Sequence, residues 1–139
     1  MKPSDFEQAE VKSVAELWDW MDQNFARSDS VVLITWKRTH RNRYVSREDV
    51  LDALIAYGWV DGRRWKLDGD RTMQMISPRQ QQAWAKTYQD RANRLHREGR
   101  MKPPGISAIK AAKESGKWDD MSHVDALIEP EALIASLTE

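Results

Sequence analysis

The stretch Trp59-Val60-Asp61-Gly62-Arg63-Arg64-Trp65-Lys66-Leu67-Asp68-Gly69-Asp70-Arg71-Thr72-Met73-Gln74-Met75-Ile76 decides how the rest of the chain is read. Arg63–Leu67 and Arg71–Ile76 are short runs of strand-forming character. Asp68-Gly69-Asp70 between them supplies turn chemistry, so the three pieces predict a β-hairpin. Just before this stretch, Gly58 fits the left-handed position that ends a helix. That helix opens at the weak capping box Ser46-Arg47-Glu48-Asp49 and carries Val50, Leu51, Leu54, Ile55 and Tyr57. Further back, Ser30–Trp36 is short, β-branched and apolar, and predicts a buried strand. Ser13-Val14-Ala15-Glu16 is a stronger capping box, and Val14, Leu17, Trp18, Met21 and Phe25 follow it at helical spacing. Trp20 sits off that stripe.

Downstream, Ser77-Pro78 marks a boundary. A long helix is expected over 80–98, stopping at Gly99, with Trp84, Tyr88, Ala92 and Leu95 on its inner face. Pro103-Pro104-Gly105 breaks the chain, and a short helix through Ile106, Ile109 and Ala112 closes at Gly116. These elements predict an α+β fold: a small antiparallel sheet, one strand plus a β-hairpin, packed with four to five helices. A single domain is expected over 1–139, with a polar lead-in at 1–12 and an acidic helical tail at 122–139. Pro130 suits the first turn of that tail.

A chain of 139 residues, 40% hydrophobic and 32% charged, builds one core without staples. Cysteine is absent, which excludes disulfides, thiol nucleophiles and cysteine-based metal sites. His40, His96 and His123 are scattered, so a histidine-pair metal motif is excluded as well. Asp68 and Asp70 lack the further ligands of a calcium loop and are explained by a turn. His96 and Glu98 fall on different faces of a helix. No glycine-rich phosphate loop and no Gly-x-Ser-x-Gly elbow occurs. The expectation is therefore no cofactor, no metal and no catalytic residue. The start of the chain is polar and acidic and the longest apolar run is Val31–Ile34, so neither a signal segment nor a membrane span is expected and the location expected is cytoplasmic.

The formal charge of zero conceals segregation: net −4 over 1–30, +4 over 31–66, +7 over 79–113 and −6 over 114–139. Acidic ends can neutralise the basic middle, or the middle can present a basic face to an anion, a nucleic acid or an acidic partner. On the long helix Lys86, Arg91, Arg94 and Arg97 stand at pairing distance from Asp90 and Glu98 in part, while Arg79, Arg100 and Lys102 lie outside that pairing. The seven tryptophans divide similarly. Trp18, Trp36, Trp84 and Trp118 fall at expected core positions. Trp59 and Trp65 bracket Asp61, Arg63 and Arg64, where indoles and arginines suit either ligand stacking or a structural cation–π cluster.

Ala53-Leu54 followed by Tyr57-Gly58-Trp59-Val60-Asp61-Gly62 resembles a block of the YdeI/OmpD-associated family, of the bacteriocin-protection type. Ser77-Pro78-Arg79 with Trp84, Asn93-Arg94-Leu95 through Glu98-Gly99-Arg100-Met101 to Gly105, and Gly116-Lys117-Trp118 resemble three further blocks in the same order. Ala85-Lys86-Thr87-Tyr88 departs from the Ser-Lys-x-Asn common there. The resemblance implies an α+β domain and a loose link to protection against cationic antimicrobial peptides, with no reaction and no catalytic residues.

The leading expectation is thus a non-enzymatic domain binding a small ligand or protein partner. Its candidate binding residues are Trp59, Asp61, Arg63, Arg64, Trp65, Arg79, Trp84 and Arg100. A second is nucleic-acid binding through Lys37–Arg47 and the 79–102 region, and a third an enzyme needing a partnered Asp61 or His96. Leu133, Ile134 and Leu137 would dock on the core or form a homodimer through the C-terminal helix.

Overall fold

The protein, seen in a computed structural model that describes residues 2–80 and 82–118, is built on one sheet. Its strands are β1 (Glu7–Glu10), β2 (Val31–Trp36), β3 (Trp59–Lys66) and β4 (Arg71–Pro78), in the order β1-β2-β4-β3. The helices are α1 (Val14–Asn24), α2 (Arg47–Ala56), α3 (Lys86–Arg97) and α4 (Pro103–Ser115). This is an α+β fold. The expected hairpin is β3 and β4, and the expected single strand is β2, which pairs antiparallel with β4.

Three boundaries depart from the sequence-based expectation. First, the lead-in 1–12 contains a strand: β1 pairs in parallel with β2, which makes the sheet mixed. Glu-Gln-Ala-Glu has no strand signal of its own, and such charge is normal on an edge. Burial of Ala9 and Val11 holds it, with Glu10 accepting from Trp36 Nε1 at 3.1 Å and from Arg71 at 2.9 Å. Second, β3 begins at Trp59 and reaches its partner through a register shift between Asp61 and Arg64. Third, α3 starts at Lys86, not at 80. The Trp84 N–H bonds to Lys117 O and its carbonyl accepts from Gln89, so its backbone is committed outside any helix.

The capping signals act as read. Ser13 Oγ accepts from the Glu16 N–H and Ser46 Oγ from the Asp49 N–H. Gly58 ends α2 at φ +75°. α2 is buried continuously from Val50 to Ala56, which a helix needs when it is covered on all sides. The sheet and α1 lie against it in one core, while Ile55 faces a second cluster with Trp84, Leu95, Ala112 and Trp118. Residues 122–139, and with them the expected acidic helical tail and any homodimer contact through it, lie outside the described residues. No described helix is long and apolar enough to cross a membrane.

Candidate functional site

Opposed residues of an antiparallel ladder share a face. One such face carries the rows Val31–Ile76–Asp61, Leu33–Gln74–Arg64 and Thr35–Thr72–Lys66. Val31, Leu33 and Ile76 belong to the main core beneath the helices. Helical cover ends at the first turn of α2, and the face turns polar at that point. There a pocket of about 320 Å³ opens, floored by Thr35, Thr72 and Gln74 and lined also by Tyr44, Val45, Val50 and Trp36, whose indole is turned to the other face of the sheet.

The remaining lining residues are Lys37, Arg38, Arg47 and Arg64. Among the described residues, four cations and no carboxylate therefore line the pocket. Arg38 and Arg64 are exposed and have no ion-pair partner among the described residues. Among the described residues Lys37 Nζ donates to the Asp68 carbonyl, at 3.4 Å. Arg47 lies 3.9 Å from Asp61 and keeps its side chain 57% exposed, a loose pair open to a competing anion. On the floor, Thr35 and Thr72 share a hydroxyl contact of 3.3 Å.

The residues expected to form one binding surface separate into five places. Trp59 is 1% exposed in the core with its Nε1 donating to Phe25 O, which removes it from any ligand surface. Arg64 joins the pocket. Arg63 lies 5.8 Å from the Trp65 ring, and Trp65 packs with Val32, Ile34 and Met73 on the opposite face of the sheet. Arg100 pairs with Glu98 at 3.2 Å and approaches Asp52 at 3.7 Å, so it does not stand outside the local pairing as its position suggested.

Asp61, Arg79 and Trp84 do meet, around Tyr88. The Tyr88 hydroxyl donates to Asp61 at 2.7 Å, and Arg79 lies 4.0 Å above the Trp84 ring. Burial, reinforced by the Asp61 bond, pushes the Tyr88 phenol above its ordinary range. Burial pulls the Arg79 guanidinium below its own, and Arg79 Nε is buried without a hydrogen-bond partner. Trp84 is 1% exposed and packs on Trp118 with centroids 5.2 Å apart. This cluster packs the segment entering α3 against β3 through the Tyr88–Asp61 bond and the Arg79–Trp84 contact.

Sequence reasoning missed Thr35, Thr72 and Gln74. Their polarity is the only signal, and it becomes a site only when β2–β4 pairing lines them up. Lys37, Arg38 and Arg47 lie in the segment read as nucleic-acid-binding, so two separate expectations converge at Arg64. Among the described residues no group of three or more His, Asp or Glu could hold a metal ion.

Fold and pocket together define a small α+β domain with a cation-lined recess at one end of its sheet. The chain belongs to the family described as Domain of unknown function (DUF8412), whose model matches residues 9–108. That range runs from β1 into α4 and includes every residue lining the pocket. No curated protein and no solved structure matches the chain.

Proposed function

We propose that this protein is a non-enzymatic binding domain that takes an anionic ligand in the pocket between the first turn of α2 and the sheet. The observation that carries this is the lining: Lys37, Arg38, Arg47 and Arg64 with no acidic residue among them. Converging cations in a concave surface focus a positive field, and arginine forks match phosphate and carboxylate oxygens. The four blocks resembling the YdeI/OmpD-associated family support a non-enzymatic α+β domain, without bearing on the anion. Its link to cationic peptides finds no support in the pocket, which repels them.

Calorimetric titration with inorganic pyrophosphate at low salt tests the reading. Binding is expected, weakening about tenfold in Arg64→Ala and further in Arg38→Ala/Arg64→Ala, since each removes a charge-assisted bond. Arg63→Ala, on the Trp65 side of the sheet, should leave affinity unchanged. Equal loss in Arg63→Ala and Arg64→Ala would overturn it. Nucleic-acid binding is the second reading, favoured by exposed Arg41 beside the pocket loop. It has lost part of its basis, because Arg91, Arg94 and Arg100 are bound to carboxylates. An oligonucleotide whose affinity falls steeply with salt would restore it.

A further inference from the structure

We infer that the pocket takes a small phosphate ester whose uncharged, hydroxyl-bearing part is held by Gln74. This rests on the anionic-ligand reading above and adds the chemical class. Four polar residues are buried among those described: Thr35, Asp52, Gln74 and Gln89. Three have their partners. Asp52 is met by arginines, Thr35 contacts Thr72, and Gln89 donates to Trp84 O at 2.9 Å and Trp118 O at 2.6 Å.

Gln74 is different. It is 5% exposed, its side chain makes no hydrogen bond among the described residues, and it lines the pocket floor. Its amide atoms are not among the fully buried polar atoms left without a partner, so the amide end opens onto the recess, where its two donors and its acceptor are available to a ligand. An amide also reads a hydroxyl well, since it can donate to it and accept from it. The four cations of the lining attract the anionic group more strongly than a neutral amide does, which leaves the amide for the uncharged part of the ligand.

The division of the lining fixes the rest. Arg38, Arg47 and Arg64 provide the charge for a phosphoryl group. Val45 and Val50 offer apolar contact to a carbon skeleton between the charged side and the Gln74 floor. About 320 Å³ lies at the small end of ligand pockets, roughly 300–1,000 Å³. A compact ester fills it, whereas a nucleic-acid strand would rest on the exposed cations without needing the floor.

The test is parallel calorimetric titration of the whole protein and of Gln74→Met with ribose 5-phosphate and with inorganic phosphate. The ester should bind the natural protein at least tenfold more tightly than phosphate does. Gln74→Met is close in size and should abolish that preference while leaving phosphate affinity intact. Its melting temperature should hold or rise, because the amide has no partner to lose. Gln74→Glu, which places a like charge on the floor, should weaken both ligands. Equal affinity for the two ligands, or a preference surviving in Gln74→Met, would overturn the ester while leaving the anion site standing. A short oligonucleotide binding more tightly than the ester, indifferent to Gln74→Met, would also overturn it. Failure of both anions to bind would remove the ester and the underlying reading together.

Discussion

At Asp52 a carboxylate that is 7% exposed receives Arg94 at 2.6 Å and Arg91 at 2.7 Å, with Arg100 at 3.7 Å. A buried acid is tolerable only with such partners, and here the partners come from α3 and the turn after it. Spacing along α3 accounts for Lys86–Asp90 and Arg94–Glu98, both present at 3.3 Å. It does not reveal that Arg91 and Arg94 also reach across to α2, because no local spacing ties Asp52 to residues some forty positions away. Asp52→Asn keeps the shape and removes the charge. It should lower stability by about 2–3 kcal/mol, because charge-assisted bonds are lost while the arginines regain solvent. Urea denaturation checks this, and a change below about 0.5 kcal/mol would mean that the cluster is incidental.

Among the elements, α4 rests on α2 through Gly105. A Cβ there would lie 2.1 Å from the Ala56 carbonyl oxygen and 2.7 Å from its carbon, both backbone atoms that cannot turn aside. The Lys102 N–H bonds to that same carbonyl at 3.0 Å. Gly105→Ala should therefore cost about 3 kcal/mol or more, in the range of severe overpacking. Gly69→Ala, with nothing within 4 Å of the added carbon, should stay within about 0.5 kcal/mol. Thermal unfolding of the two variants side by side checks the contrast. Gly58, Gly105, Trp59 and Trp84, which help carry the family resemblance, thus form turns, close approaches and core. The exposed pocket cations Arg38 and Arg64 lie outside those blocks.

For the molecule as described, residues 2–80 and 82–118, many of the carboxylates are paired with arginines inside the fold. Arg27 holds Glu7 and Asp29, Arg71 holds Asp68, and Arg100 with Arg94 holds Glu98; each carboxyl lies below its ordinary range as a result. A carboxyl lowered by folding stabilises the protein above its unfolded value, 3.8 for aspartate and 4.5 for glutamate, and loses that contribution as pH falls through the folded value. The melting temperature should therefore hold from neutral pH to about pH 5 and drop below it. Added salt should shrink the drop, since these groups are exposed and screened. A melting temperature independent of pH between 3 and 6 would contradict it. The pocket cations remain outside this internal neutralisation, and there the molecule keeps a positive field.

What the sequence determined by itself is everything that depends on near neighbours. Ser13 and Ser46 cap helices because the hydroxyl and the N–H it serves lie three residues apart. Gly58 ends α2 because its backbone enters the left-handed region, and Asp68-Gly69-Asp70 turns because Asp68 accepts from the Asp70 and Arg71 N–H groups. The tertiary structure alone decided what depends on distant partners. β1 exists because β2 lends it hydrogen bonds, and Trp84 leaves the helix because Trp118 receives it. The pocket forms because strand register sets Thr35 beside Thr72 and Gln74 beside Arg64. Local patterns carry no record of that register. It follows from packing the whole chain around α2, so the helices and hairpin were legible and the site was not.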